Sequence, residues 1–454
     1  MISTNEIELA RHCIRFATEN GASAARLSLN KNVMDAYTIL NGELDKVSHS
    51  ADRSIYLYLF VNGRYGTFST NRLDKDGLQD FIRQAIVMVD MLGEDEYRKL
   101  PTPERTAKDA ITGLELGLCD GEYENFTSEQ RLERARSMSR FYSLQPTEEY
   151  ALISEECEYA ESSDDTLLID SQGFEGRHRE TSFNCFTETT ILDKEGNRYS
   201  GYWWEAAPRR EELQIERCSS KALERAIGQI GPKSRRSGRY KMVIDSTVAS
   251  RLVSPVINAL NASAIQQKMS FLEGSKGQQR FSEGMTLCDL ARTYGRSGSR
   301  LYDSEGVATK DRTIIDNGVV QEYFVSTYMA GKTGFKPTIE DISRPCLLPF
   351  IKDKKLADGE KNVSLEDILR ICSNGIYVTG FNGGNCNPVT GDFSFGIEGF
   401  AFKYGKITHP VKEMLITGNI VTLWNDLIAA GSDARESARW QIPSLAFDNV
   451  SFSA

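Results

Sequence analysis

Two Asn-Gly dipeptides, Asn41-Gly42 and Asn62-Gly63, divide short runs of β-forming residues over about 25–68, and they constrain this chain more than any other feature. Asn-Gly favours the positive φ angles of tight hairpin turns, so the spacing predicts an antiparallel meander. Asn317-Gly318 and Tyr404-Gly405 give the same signal in the second half.

Helical periods flank the meander. Ser3 with Glu6 reads as a capping box before Ile7, Ala10, Ile14 and Ala17, and Gly21 supplies a stop. Leu78, Phe81, Ile82, Ala85, Ile86, Val89 and Leu92 keep a 3.6-residue period up to a candidate cap at Gly93. A third helix is expected from Thr127 with Gln130, strands at 166–169 and 185–192, and a further helix over 219–230. Between the third helix and the strands, Glu155, Glu156, Glu158, Glu161, Asp164 and Asp165 lack the glycine and spacing of an EF-hand loop and read as a solvated edge. The basic, Ser/Gly-containing stretch 233–239 is the best linker candidate.

Beyond it, residues 240–244 read as a strand, and 246–261 carry helical spacing that Pro255 should kink or interrupt. In 392–397, Phe393, Phe395 and Ile397 share one strand face, with Asp392 and Ser394 on the other. Runs of strands with segregated helices indicate an α+β chain of two domains. Residues 1–232 would form an N-terminal mixed domain with an antiparallel sheet, and 233–454 a mostly β C-terminal domain.

Composition narrows the function. The formal charge of −10 disfavours direct nucleic-acid binding, and no apolar stretch approaches the length of a membrane span, so no membrane association is expected. Nine cysteines without a CxxC, and carboxylates near the N-terminus where a signal peptide would need apolar residues, suit a reducing cytoplasm. Four isolated histidines, His12, His49, His178 and His409, leave no HExxH, so no metal set is visible in this chain. Ala330-Gly331-Lys332-Thr333 lacks the first glycine of a phosphate loop and reads as a turn, and Gly295-Arg296-Ser297-Gly298-Ser299 misses GxSxG and reads as a flexible loop.

Cys386 lies among small residues but lacks a base nearby, so it reads as a loop cysteine before it reads as a nucleophile. Gly383 and Gly384 permit close approach of another backbone, which suits an extended peptide. Gly383, Gly384, Asn385, Cys386, Thr390, Gly391 and Asp392 are the peptide-contact candidates; Asn385, Cys386 and Asp392 read equally as residues that satisfy the turn before the Phe393 strand.

Several segments together resemble the TldD/PmbA family, historically called modulators of DNA gyrase. They are Val61-Asn62-Gly63-Arg64-Tyr65-Gly66 through Asn71, Ser171-Gln172-Gly173, Met269-Ser270-Phe271-Leu272, Asp303-Ser304-Glu305-Gly306 and Asn387-Pro388-Val389-Thr390-Gly391-Asp392, followed by Pro410-Val411 and Thr417-Gly418-Asn419. The TldD-like branch has an HExxxH helix and a late cysteine that bind a peptidase metal. Here the equivalent helix, residues 252–260, has no histidine, with Ser254, Pro255 and Ala259 at the degenerate positions, and no cysteine follows Cys386. The chain therefore looks like the PmbA/TldE-like branch.

That resemblance implies a subunit of a cytoplasmic metallopeptidase that degrades unfolded peptides or processes modified ones. A TldD-like homologous subunit would supply a zinc-type metal, with no cofactor in this chain and no catalytic residue of its own. A homodimer is a further expectation. The alternatives are a stand-alone peptidase with an unrecognised site, or a regulatory or binding protein linked to DNA gyrase.

Overall fold

The computed structural model describes residues 1–354 and 362–454. Its first half is built on one antiparallel sheet in the order β3-β2-β1-β4-β5-β6. These strands are β1 (Ala24–Leu40), β2 (Glu43–Val61), β3 (Arg64–Thr70), β4 (Tyr150–Asp170), β5 (Glu175–Asp193) and β6 (Arg198–Ala207). Asn41, Gly42, Asn62 and Gly63 all take positive φ, so both dipeptides form the expected hairpins.

Helices α1 (Thr4–Glu19), α2 (Lys75–Asp90), α3 (Ser128–Met138) and α4 (Ile215–Gly228) pack on this sheet. Odd-numbered residues of β1 point to one face: Leu27 and Leu29 are buried with α1 and α2, whereas Tyr37 and Ile39 are buried with α3 and α4. The capping boxes at Ser3/Glu6 and Thr127/Gln130 both form. Gly93 is not the cap of α2, which ends at Asp90 with Met91 as its C-cap.

The acidic run is not a solvated edge. It lies in β4, between β1 and β5, and side-chain alternation sends Glu155, Glu161 and Asp165 to the buried face while Glu156 and Glu158 meet solvent. Glu161 is fully buried between Arg131 of α3, at 2.8 Å, and Arg210, at 3.0 Å. Asp165 pairs with Arg177 at 2.6 Å and accepts the Ile2 N–H at 2.8 Å. Buried carboxylates need such partners because desolvation would otherwise remove their charge.

The second half adds β7 (Gly238–Ile244), α5 (Ser250–Ala259) and α6 (Ala262–Gln266). A small sheet follows, of β8 (Leu287–Asp289), β9 (Arg312–Asp316), β10 (Val319–Val320) and β11 (Pro345–Leu347). The larger sheet contains β7, β12 (Phe350–Ile351), β13 (Asn374–Cys386), β14 (Asp392–Lys403), β15 (Lys406–Asn419), β16 (Leu427–Ala430) and β17 (Leu445–Ser453). Because β17 pairs with β15 and also with β7, the ring β7-β13-β14-β15-β17 closes on itself as a five-strand barrel. Closure removes the edges that those strands would otherwise expose. The fold is α+β, as expected.

Two local expectations fail. Residues 327–333 form a helix ending at Gly334 in the left-handed region, so Gly331-Lys332-Thr333 is helical and not a turn. Pro255 does not interrupt α5 either. Proline deletes one N–H, but Leu252, Val253, Val256 and Ile257 are almost completely buried, and that burial outweighs one lost bond. In the 295–299 loop, Ser299, which stands where GxSxG needs its second glycine, is buried and donates to the Thr293 carbonyl at 2.7 Å.

Candidate functional site

Where α5 approaches the end of β13, a cavity of about 490 Å³ forms. Each wall has a local cause. The apolar stripe of α5 is drawn into the core, which leaves Arg251, Ser254, Pro255 and Asn258 on its outer side. Across from it, β13 carries an irregularity between Asn382 and Asn385 that admits Gly383 and Gly384, both at positive φ. A Cβ on Gly384 would lie 2.0 Å from the Ser394 carbonyl oxygen, so only glycine fits there. Met269 and Phe271, in the segment after α6, complete the apolar wall with Phe395.

The cavity brings together residues that are far apart in sequence. Ser254, Pro255 and Ala259 line it with Gly384, Asn385 and Cys386. Gly383 borders the bulge with open space beyond it. Thr390, Gly391 and Asp392 lie outside the lining, in a turn that saturates itself. Thr390 and Asn419 donate to the Asp392 carboxylate at 2.7 and 2.9 Å, and the Gly391 N–H donates to the Asn387 carbonyl at 2.8 Å. The Asn419 and Thr390 donors hold Asp392 below the usual carboxylate range.

Composition alone does not signal Arg251, Asn258 and Gln267, yet all three face the cavity. The side-chain amides of Asn258, Gln267 and Asn385 form no hydrogen bond among the described residues. Free amides beside an apolar wall can donate to and accept from a peptide backbone in any sequence. The one signal that could have found them is the i, i+4 spacing of Ser254 and Asn258 on the polar side of an otherwise apolar helix.

The donor set does not suit a metal. Among the described residues no group of three His, Cys, Asp or Glu side chains is placed to hold an ion. Cys386 is the sole thiol of the cavity, and burial, followed by the Asp392 charge, pushes it above the ordinary thiol range. A histidine base is not at hand: Cys386 pairs with Phe393, whereas His409 pairs with Ala401 at the other end of β14. His12, His49 and His178 approach Gln79, Asp35 and Glu180 in the first half.

The fold of the whole chain matches that of proteins crystallised as candidate modulators of DNA gyrase. One from Bacteroides thetaiotaomicron is 37% identical, with a TM-score of 0.92 and 100% of both chains covered. Another from Thermotoga maritima is 21% identical with a TM-score of 0.85, covering 98% of this chain and 100% of that one, and TldE from Thermococcus kodakarensis is 16% identical at 0.79, with the same coverage.

The chain belongs to the PmbA/TldD family. Models of the PmbA/TldA metallopeptidase match as domain 1 over residues 25–89, central domain over 122–230 and C-terminal domain over 237–454. Metalloprotease PmbA of Escherichia coli is 21% identical over 93% of this chain and 91% of its own, and the Haemophilus influenzae homologue is 23% identical over 97% and 94%.

Proposed function

We propose that this chain is a PmbA/TldE-like subunit of a metallopeptidase, shaping the substrate chamber while a TldD-like homologous subunit carries the zinc-type metal. The observation that supports the reading is the cavity beside α5: it offers three unengaged amides and an apolar wall, and no set of metal ligands. An extended peptide would lie along the outer part of β13, beyond Val378, where pairing with β7 ends. Gly383, Gly384, Asn385 and Cys386 would contact its backbone, and the turn of Thr390, Gly391 and Asp392 would hold β14 in place beneath it. The partner's metal would activate the attacking water.

The same reading places the protein in the cytoplasm. All nine cysteines are free, as a reducing compartment favours, and no described helix is long and apolar enough to cross a membrane.

The test is cleavage of a fluorogenic unfolded peptide by the purified chain, alone and mixed with an HExxxH-bearing homologue. Cutting by the mixture only, stopped by chelator, supports the proposal. Introducing Ser254→Trp should fill the cavity and suppress that cutting without lowering the melting temperature. Cutting by this chain alone would overturn the proposal.

A further inference from the structure

The small sheet places two thiols directly opposite each other. In the pairing of β11 with β8, Cys346 is the register partner of Cys288. Among the described residues no other two cysteines are cross-strand partners: Cys157 is paired with Thr187, Cys185 with Tyr159 and Cys386 with Phe393. Leu287, Asp289, Pro345 and Leu347 are buried, so alternation sends both cysteines to the opposite, half-open face.

The register also fixes their separation. The Leu290 N–H donates to the Arg344 carbonyl at 2.9 Å and the Leu348 N–H to the Thr286 carbonyl at 3.1 Å, on either side of the cysteines. Hydrogen-bonded pairs alternate along an antiparallel ladder, so Cys288 and Cys346 also form one, with Cα atoms about 5.5 Å apart. Disulfides span Cα separations of roughly 4.4–6.8 Å, with Cβ atoms about 3.8 Å apart. Directly opposed Cβ atoms start at ~5 Å, so closing a bond draws the two strands together by roughly 1 Å.

β11 can make that movement. It is an edge strand of 3 residues, held on its far side by Gln441, whose N–H donates to the Pro345 carbonyl at 2.8 Å and whose carbonyl accepts the Leu347 N–H at 3.0 Å. Neither sulfur is committed elsewhere. Among the described residues Cys288 Sγ meets only the Thr313 hydroxyl, at 3.8 Å, and Cys346 Sγ has no hydrogen-bond partner. Burial pushes Cys346 up to about 11, with Cys288 adding to the rise and Arg344 opposing it, so the resting pair stays as two thiols.

We propose that Cys288 and Cys346 form a reversible cross-strand disulfide, a peroxide-responsive modification site that ties β11 to β8 and encloses residues 289–345. One thiol loses its proton and attacks a peroxide oxygen; the O–O bond breaks, water leaves and the sulfur becomes a sulfenic acid. The second thiol, losing its own proton, attacks that sulfur and expels a second water, so the peroxide takes up two electrons and one S–S bond forms. Two equivalents of a small thiol reverse the step by exchange, leaving as their own disulfide. The site lies on a different sheet from the cavity beside α5 and does not rest on the peptidase role.

Thiol counting tests it. The purified full chain is exposed to excess hydrogen peroxide, unfolded and labelled with N-ethylmaleimide. The reduced chain should take nine labels, one per cysteine, and the oxidised chain two fewer, with the Cys288 and Cys346 peptides joined in a digest. Dithiothreitol should restore all nine. Cys288→Ser and Cys346→Ser should each abolish both the linked peptide and the two-label loss. The digest of the unsubstituted chain decides the proposal even where a variant folds poorly. A linkage between Cys185 and Cys218, which meet in the buried core beside α4, would overturn it. So would crosslinks only between chains, a loss of labels with no linked peptide, or nine labels after peroxide.

Discussion

The Arg251 guanidinium donates to the Gly384 carbonyl at 2.9 Å and sits 5.0 Å from the centroid of the Phe395 ring, so one side chain ties α5 to the glycine bulge of β13. The two walls of the cavity are thereby held at a set spacing. Replacing Arg251 with Ala removes a charge-assisted bond and a cation–π contact, an expected loss of ~1 kcal/mol at this exposed position. Thermal unfolding should show a small fall in midpoint, while partner-dependent peptide cleavage should fall further, since the cavity loses its clamp.

The two glycines of the bulge should respond unequally to Ala. Gly384→Ala combines a φ of +86° with a Cβ placed 2.0 Å from a backbone oxygen, so the strand must move, and a loss of ~3 kcal/mol is expected. Gly383→Ala meets no atom within 4 Å and bears only its φ of +73°, at a cost of about 1 kcal/mol. Denaturant titration of the two variants checks the order; equal losses would mean that the bulge tolerates rearrangement.

Cys386 should be chemically quiet. Burial and the neighbouring Asp392 charge favour its thiol form, so alkylation by iodoacetamide near neutral pH should be slower than for a free cysteine peptide. Cys386→Ser should keep most of the partner-dependent cleavage, and loss of all cleavage in that variant would make the sulfur a participant.

Asp303, in the Asp-Ser-Glu-Gly segment, should give stability an acid-side signature. Burial and the nearby Glu305 push its carboxyl up to about 6, against the lowering effect of the Glu340 and Val307 N–H groups. A carboxyl raised above its unfolded value of 3.8 binds its proton more tightly when folded, so its contribution is full below that value and is lost as pH rises through about 6. Asp303→Asn should flatten the stability profile between pH 4 and 6 in urea titrations. A profile that stays parallel to that of the unmodified chain would remove Asp303 as the cause.

Much of the local structure was legible in the residues. Asn-Gly pairs require particular φ angles, capping boxes satisfy neighbouring N–H groups, and a 3.6-residue period declares a helix face; each concerns residues within a few positions of one another. The alternation Phe393, Phe395, Ile397 likewise gave the buried face of β14. The acidic run misled because burial in β4 is decided by partners from elsewhere: Arg131 lies 30 residues before Glu161, and Arg210 49 after it. Pro255 misled for a related reason, since the core around α5 compensates a lost bond that no local rule can weigh.

The sequence by itself determined the hairpins, the helix starts, the barrel strands' alternation and the absence of histidine from residues 252–260, because these are properties of neighbours along the chain. Only the tertiary structure decided that β17 closes the barrel against β7, that Ser254 and Asn258 face Asn385 and Cys386 across one cavity, and that Thr390, Gly391 and Asp392 stand outside it. Those relationships join segments more than a hundred residues apart, and they are set by which apolar faces can be buried together, a quantity shared by the whole chain and written in no single stretch of it.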